Sequence, residues 1–355
     1  MPSITGIGVT SVLGASAAQC CAALRAGLSR VAESKRYKMR GQDPEGDLEP
    51  LLAAEVAAVP PSARLAERLY PLALPALGEA TATAGLSRAA LAGATLHLAL
   101  PGASRPGYDG IADGFAVELC RRGGIAPFAA VTVTRAGHSG VVEAMAAALA
   151  SLQKRPESAA VVLAVDSLLD KETLQWLDAR DRLKGSRNPE GMAVGEAAVA
   201  LVVERTRRAE ARGVRLRATV DAHGTAHEDA TVFKPERPNT GNGLTRALRA
   251  AVATLDQPIS PPWVLTDHNG ERHRALELGY VINRATEVFT ELRHTWYAAD
   301  GLGDTGAAAG GVLIARAAHA FERGYAPGGR ALVLTGSDDG GRGVLVLGDP
   351  KPGSD

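Results

Sequence analysis

The hydrophobic and polar positions along the first half of the chain predict alternating strands and helices, which is the order typical of a layered α/β protein. Apolar runs at 3–9, 94–100, 128–134, 158–165 and 192–204 predict strands, and periodic or alanine-rich stretches at 16–28, 63–84 and 141–153 predict helices. The segment 128–165 has the order strand, tight turn, helix, strand, which predicts a parallel crossover unit. The polar, proline-containing stretch 35–61 predicts a loop excursion instead.

The later part of the chain has a similar order of elements. Strand patterns occur at 216–222 and 263–266, helix patterns at 244–255, 271–288 and 306–323, and two closing antiparallel strands at 331–334 and 343–347. No low-complexity linker separates the two parts, so we expect them to pack as one body. We predict two related halves, residues 1–213 and 214–355, although no internal sequence repeat is evident.

Composition excludes several classes of protein. The 39 basic and 39 acidic residues balance, without the basic excess of a duplex nucleic-acid binder. The three cysteines, Cys20, Cys21 and Cys120, have no spacing typical of disulfide frameworks or zinc sites. The first residues lack a basic signal region, and glycines interrupt the apolar run from Ile4. We therefore expect a cytoplasmic protein with no nucleic-acid or membrane partner, no metal and no cofactor.

Four stretches carry a resemblance to a known family. They are residues 4–14, residues 22–29, residues 191–213 with their Gly195-Glu196-Ala197-Ala198 core, and residues 306–310. Together they resemble the β-ketoacyl-acyl-carrier-protein synthases of the thiolase-like superfamily. The resemblance implies an α/β fold, a thiolase-like five-layer αβαβα sandwich of two pseudo-repeated halves, and usually a dimer.

The family's chemistry implies a nucleophilic cysteine at the start of the alanine-rich helix, where the helix N-terminus stabilises a thiolate. In this sequence the match to Ser139-Gly140 puts Gly137 in that position, so no side chain is available to form an acyl-enzyme. The backbone N–H that contributes to the family's oxyanion hole is retained. Ser139 is either a replacement nucleophile or a helix cap, and His138 is either a pocket residue or a packing residue.

Two histidines assist decarboxylation in the family, and the first falls near residues 266–271. Spacing to the acidic Glu277 puts Asn269 in its place, while a shift of one residue would put His268 there. Asp267, His268, Asn269 and Glu271 follow a predicted buried strand, where ligands bind in open α/β sheets. They are alternatively the capped start of a helix.

Residues 223–225 have the sequence His-Gly-Thr, which matches the motif of the family's first histidine. It lies far ahead of the family's motif in chain order, and we interpret His223 as a chance match.

The second catalytic histidine is replaced by Asp304 according to the flanking glycines. The family's lysine and glutamate on either side of it correspond here to Ala299 and Leu313. The family's gating phenylalanine is also missing, and Asp338 or Asp339 lies near its place. A carboxylate at position 304 would repel a developing enolate.

Two functions remain open from the sequence. The first is a catalytically degenerate synthase-like protein that acts by binding, as a homodimer, as the partner of an active synthase or as a scaffold, with an acyl carrier protein or acyl thioester as a candidate ligand. The second is an acyl-thioester transferase or hydrolase that uses Asp304, His268, Glu271 and His138. Convergence of these groups on an open cavity would favour the second, and a sealed pocket would favour the first.

Overall fold

The computed structural model describes residues 1–42, 48–108, 111, 114–234, 236–257, 259, 263–289 and 294–350. The strands are β1 (Pro2–Ser11), β2 (Ala32–Arg40), β3 (Leu48–Ala54), β4 (Thr95–Ala99), β5 (Ala130–Thr134), β6 (Ala160–Ser167), β7 (Val194–Arg205), β8 (Ala218–His227), β9 (Trp263–Thr266), β10 (His294–Trp296), β11 (Arg330–Gly336) and β12 (Gly341–Gly348). The helices are α1 (Ala17–Arg25), α2 (Leu65–Thr83), α3 (Arg88–Ala92), α4 (Phe115–Gly123), α5 (Gly140–Lys154), α6 (Lys171–Asp178), α7 (Thr206–Ala211), α8 (Asn242–Val252), α9 (Arg272–Arg284), α10 (Ala299–Leu302) and α11 (Ala309–Arg323). None of these described helices is long and apolar enough to cross a membrane.

The order of strands is the same in the two halves of the molecule. It is β5-β4-β6-β7-β1 in the first half and β10-β9-β11-β12-β8 in the second. The halves join where β1 meets β8, through two antiparallel residue pairs, Ser3 with Thr219 and Ile4 with Ala218. The predicted crossover unit is confirmed, since β4 pairs in parallel with both β5 and β6. The predicted closing strands are confirmed as the antiparallel pair β11–β12.

Helices lie outside and between the two halves of the sheet. Helix α2 packs on β1, β7 and β6, and helix α8 packs on β8 and β12. Helices α5 and α11 contact strands of both halves and therefore form the central layer. The predicted five-layer αβαβα sandwich of two pseudo-repeated halves is confirmed.

Glycines in corresponding strands let the outer helices approach closely. A Cβ atom on Gly8 of β1 would lie 1.9 Å from the carbonyl oxygen of Ala76 in α2. A Cβ atom on Gly224 of β8 would lie 2.1 Å from the carbonyl oxygen of Ala247 in α8. Gly224 belongs to the His-Gly-Thr sequence at residues 223–225, and packing of α8 accounts for this glycine.

The prediction of a loop at 35–61 was wrong. Most of the segment forms the antiparallel hairpin β2–β3, although residues 43–47 lie outside the described part. Strand β3 then extends the first half by pairing in parallel with β7, Ala53 with Val194 and Ala54 with Gly195. Met39 and Leu51 are buried on the inner face of the hairpin. Most exposed positions of β2 are charged, which obscured the pattern.

The glutamate of the matched stretch Gly195-Glu196-Ala197-Ala198 has a structural role. Glu196 is 1% exposed, and its carboxylate accepts hydrogen bonds from Arg68 Nη2 at 2.8 Å and Ser167 Oγ at 2.7 Å. It also accepts from the backbone N–H of Val56 at 2.9 Å. Glu196 therefore connects β7 to α2, to the end of β6 and to the segment after β3.

The division into residues 1–213 and 214–355 stays a prediction. Helix α7 ends at Ala211 and β8 begins at Ala218, so the predicted boundary falls in the connection between them. We propose this boundary because the strand order begins to repeat at β8.

Candidate functional site

The candidate site lies where two equivalent turns, one from each half, come together. A 3₁₀ turn, Gly137–Ser139, leads into α5, and a second, Gly306–Ala308, leads into α11. Both begin with a glycine at positive φ, 59° at Gly137 and 54° at Gly306. Residue types with a Cβ rarely adopt this backbone, so the two glycines fit the sharp entry into each helix.

The two glycines differ in what surrounds them. A Cβ atom on Gly306 would lie 2.1 Å from Asp166 Oδ2, so packing excludes any side chain there. A Cβ atom on Gly137 would lie 3.6 Å from the backbone nitrogen of Gly102 and 3.7 Å from Ser337 Oγ, which are ordinary contacts. The structure therefore leaves space for a side chain at the expected nucleophile position, but glycine supplies none.

Ser139 is buried beside this position and does not line the site. Its backbone N–H donates to Ser337 Oγ at 2.8 Å, and the two hydroxyl oxygens lie 2.9 Å apart. Its hydroxyl also contacts Glu143 at 3.4 Å and does not cap α5. The Ser139 hydroxyl is therefore engaged with Ser337 and Glu143, and neither it nor Ser337 is hydrogen-bonded to His138.

His138 and Asp304 form a buried pair between the two turns. His138 Nε2 lies 2.8 Å from Asp304 Oδ1, and the backbone N–H of Gly306 donates to the same oxygen at 2.7 Å. Burial opposes the charged form of His138, but the Asp304 carboxylate outweighs it and raises the histidine pKa. Burial likewise opposes the charge on Asp304, yet His138 and Arg274 hold the pKa of this carboxyl well below its usual range.

Asn269, and not its neighbour His268, extends into this pair. Asn269 Nδ2 donates to Asp304 Oδ2 at 2.6 Å and to Glu271 Oε2 at 3.0 Å, while its Oδ1 accepts from the backbone N–H of Glu271 at 3.1 Å. The His268 ring packs instead near Tyr297, with 5.4 Å between ring centroids. His268 Nδ1 is buried and has no hydrogen-bond partner in the described structure. Asn269, and not His268, is therefore the residue in contact with the His138–Asp304 pair, and its correspondence to the family's first histidine stays a prediction.

Two buried arginines form ion pairs with three further carboxylates near the site, those of Asp267, Glu271 and Asp338. Arg182 donates to Glu271 at 2.7 and 2.8 Å and to Asp338 at 2.6 and 3.1 Å. Arg274 pairs with Asp267 at 3.1 Å and with Asp338 at 3.4 Å. Although burial opposes their charge, Arg182 holds the pKa of Glu271 and, with Arg274, that of Asp338 below the usual range. These carboxylates are therefore ion-paired.

Sequence reasoning missed both arginines. Arg182 follows α6, and Arg274 lies in the first turn of α9. Neither belongs to a motif, and Arg182 is 89 positions away from its partner Glu271. No spacing rule relates residues this distant, so the chain gave no signal for the pairing.

A small cavity opens beside the His138–Asp304 pair. Its volume is about 40 Å³, room for roughly two or three water molecules. The predicted site residues that line it are Gly137, His138, Asp304, Asp338 and Asp339, whereas Ser139, Asp267, His268, Asn269 and Glu271 do not.

Residues missed by the sequence analysis complete the cavity wall. One side is a buried pair in which Arg105 Nη2 donates to Asp166 Oδ1 at 2.6 Å. Trp176 and Phe233 also line the cavity, in an edge-to-face contact with 5.6 Å between ring centroids. Asp166 lies at the end of β6, a position where a strand pattern alone would have indicated a candidate site residue.

The other residues singled out from the sequence lie elsewhere. His223 is on β8 and does not line this cavity, and Leu313 is a fully buried apolar residue of α11. The three cysteines are free and buried. Among the described residues, no group of three or more His, Cys, Asp or Glu side chains is arranged to hold a metal ion.

The buried pair gives a first testable prediction. Replacing Asp304 with asparagine removes the charge that favours protonated His138, so the pKa of His138 should fall from above its ordinary value of 6.5 to below it. Titration of the histidine ring by NMR measures this shift. His223, whose pKa is lowered by burial, is the internal control and should not respond. An unchanged pKa at His138 would show that Asp304 does not hold the proton.

Comparisons with solved structures identify the fold. No family model matches the sequence, and no curated protein matches it. The ishigamide ketosynthase/chain length factor is similar at a TM-score of 0.77 and 18% identity, over 99% of both chains. A structure of a type II polyketide synthase acyl-carrier protein in complex with its ketosynthase is similar at 0.77 and 14% identity, over 98% of both chains.

A β-ketoacyl synthase from Burkholderia phymatum STM815 is also similar, at a TM-score of 0.75 and 15% identity over 99% of both chains. The similarity extends over nearly the full length of each of these chains. The chain therefore has the thiolase-like fold of the β-ketoacyl synthases.

Proposed function

We propose that this protein is a non-condensing member of the ketosynthase fold that acts by binding. The observation that carries the proposal is Gly137, which leaves the head of α5 without a nucleophilic side chain although space for a Cβ exists there. Condensation through an acyl-enzyme requires a nucleophile at such a position. By the resemblance, Asn269 and Asp304 replace the two histidines, and His138 and Arg274 lower the pKa of Asp304 and so favour its carboxylate form over a donor.

The open edge of the sheet at β5 is the basis for proposing a partner chain. Strand β5 pairs only with β4 among the described strands, so its other edge is open. Val131 is 44% exposed and Val133 is 36% exposed on this edge. An open apolar edge strand is a liability in a monomer, and pairing with another chain removes it. We propose a dimer through β5, with a second copy or with an active ketosynthase-like chain.

Cross-linking tests the partner directly. A photoreactive amino acid at position 131 in the full chain, expressed in its native cell, should give a cross-linked product with a ketosynthase-like chain or with a second copy. Mass spectrometry of the product identifies the partner. Products with neither kind of chain would contradict the proposal.

A charge on the β5 edge gives a second prediction. Val131→Lys should dissociate the dimer, because a buried, unpaired ammonium opposes strand pairing. Sedimentation velocity measures the oligomeric state. The matched control is Val117→Lys, since Val117 is 74% exposed on α4 and lies off this edge. Equal effects of the two substitutions would show that β5 does not form the dimer interface.

The His138–Asp304 pair favours a second candidate function. A histidine held by a carboxylate beside a cavity is the arrangement of a general base that activates water. Hydrolysis or transfer of an acyl thioester would then use His138, with Asn269 orienting Asp304. The candidate is weaker because the Asp304 carboxylate raises the pKa of His138 and so favours the protonated imidazole, which cannot accept a proton. Thioester hydrolysis abolished by His138→Gln would support it.

A further inference from the structure

The surface between α1 and α11 carries a groove that the proposed function does not use. Its volume is about 740 Å³, and its α1 wall presents Ala18, Ala22 and Ala26. All three are exposed and recur every fourth residue, so they form one stripe. At the rise of an α-helix this stripe is about 12 Å long. This length equals about two turns of a partner helix.

The charged residues along this groove are arginines without counter-ions. Arg25 on α1 and Arg323 on α11 line the groove, and neither has a hydrogen-bonded or ion-paired partner in the part of the chain that the structure describes. The neighbouring Glu322 is already engaged with Arg215 at 2.9 Å and Arg217 at 2.7 Å. The groove is therefore a positively charged, small-residue surface.

Arg25 is also held in place before any partner arrives. Its guanidinium lies 4.0 Å from the ring centroid of Tyr325, and the Tyr325 hydroxyl lies 2.8 Å from His319 Nδ1. Tyr325 in turn stacks on Trp296, with 6.0 Å between ring centroids. An arginine fixed over an aromatic ring keeps its N–H edge free for a carboxylate and loses little entropy when it binds one.

We propose that the α1–α11 groove docks an acidic amphipathic helix of a partner protein. The alanine stripe admits close approach of the helix, and Arg25 and Arg323 pair with its carboxylates. Helix α1 packs on β1, which lies four strands from β5 in the sheet, a separation of about 19 Å. A chain paired at the β5 edge therefore leaves the groove open, so this site is separate from the proposed dimer contact.

The test uses the full chain and a synthetic helical peptide of about 20 residues, long enough to form a helix in isolation. One face of the peptide carries alanine at every fourth position, flanked by glutamates; the comparison peptide has glutamine at each glutamate. Fluorescence anisotropy should show about tenfold tighter binding of the acidic peptide, with the difference reduced by added salt. Equal binding of both peptides, or no binding, would overturn the proposal.

Variants of the chain locate the site. Arg25→Glu and Arg323→Glu should each weaken binding of the acidic peptide by about tenfold, because charge reversal replaces attraction with repulsion. Arg88→Glu is the matched control, since Arg88 is exposed on α3, and it should leave the affinity unchanged. An equal loss with Arg88→Glu would assign the binding to net charge and overturn the proposal.

A second copy of this chain is the competing occupant of the groove. If Ala22→Arg converts a dimer to a monomer in sedimentation velocity, the groove is a self-interface and the acidic-helix proposal fails. If Ala22→Arg leaves the oligomeric state unchanged and blocks the acidic peptide, the proposal stands. Ala22 is exposed, so the substitution should not disturb folding.

Discussion

Replacing Asp304 with alanine is expected to lower the free energy of unfolding by about 3–5 kcal/mol, the usual cost of breaking a buried ion pair. Asp304 is 2% exposed, and its carboxylate bonds His138, Asn269 and the backbone N–H of Gly306. Removing it leaves the Gly306 N–H buried without an acceptor and removes the counter-ion of His138. Urea denaturation of the two proteins measures the loss.

The loss of stability on replacing Asp304 should depend on pH in a defined direction. The raised pKa of His138 stabilises the folded state fully below the unfolded value of about 6.5, and this share is lost as pH rises through the folded pKa. The lowered pKa of Asp304 stabilises above the unfolded value of about 3.8, and this share is lost as pH falls through the folded pKa. The difference in the free energy of unfolding between the wild type and Asp304→Asn should therefore be largest at pH values between the unfolded pKa of Asp304 and that of His138.

Asparagine is the matched variant for this measurement. Asp304→Asn keeps the size of the side chain and an acceptor for the Gly306 N–H. It removes the charge and replaces Oδ2, which accepts from Asn269 Nδ2, with an amide nitrogen. The difference between the two denaturation midpoints should shrink as pH rises above the folded pKa of His138, and the part that comes from Arg274 and Asn269 should remain. A difference that stays constant with pH would contradict an imidazolium–carboxylate pair.

The second large effect is expected at Arg68. Arg68→Met should cost about 3–5 kcal/mol, because it leaves the buried carboxyl group of Glu196 without its cation partner. The two side chains are 2% and 0% exposed and lie 2.8 Å apart. Replacing Glu196 with leucine in the same chain should recover part of the loss, since an apolar pair needs no counter-ion. Recovery stays incomplete because the Val56 N–H and Ser167 hydroxyl lose their acceptor.

An exposed pair provides the control for Arg68. Arg249 and Glu287 lie 3.3 Å apart with 56% and 57% of their side chains exposed. Solvent screens such pairs, so Arg249→Met should leave the denaturation midpoint nearly unchanged. Similar losses at Arg68 and Arg249 would show that burial does not govern these pairs.

Much of the fold could be predicted from periodicity and turn residues. The strand at 263–266 agrees with β9, and the alanine-rich stretch 141–153 lies within α5. The β2–β3 hairpin escaped prediction because most exposed positions of β2 are charged. The few buried positions of the hairpin, including Met39 and Leu51, depend on contacts with distant parts of the chain. The pseudo-repeat appears in the strand order and not in the residues, since many sequences satisfy the same pattern of burial.

The site was only partly predictable. The glycines around positions 137 and 306 locate the two turns in the sequence, and the structure brings those turns together at His138 and Asp304. The ion pairs of Arg182 and Arg274 could not be predicted, because they depend on three-dimensional contacts between segments that share no motif. The sequence analysis therefore overestimated the free acid–base groups, because it counted carboxylates without their arginine partners.

Intact-mass spectrometry after incubation with acyl and malonyl thioesters tests the central claim most directly. The wild-type chain should show no covalent acyl adduct, since Gly137 offers no nucleophile. Gly137→Cys is the matched variant that restores a thiol at this position. A Cβ atom fits there at 3.6 Å from its nearest neighbour, although the positive φ strains a side chain. A wild-type mass that is unchanged is the result we predict. An acyl adduct on the wild-type chain would contradict a non-condensing binding protein.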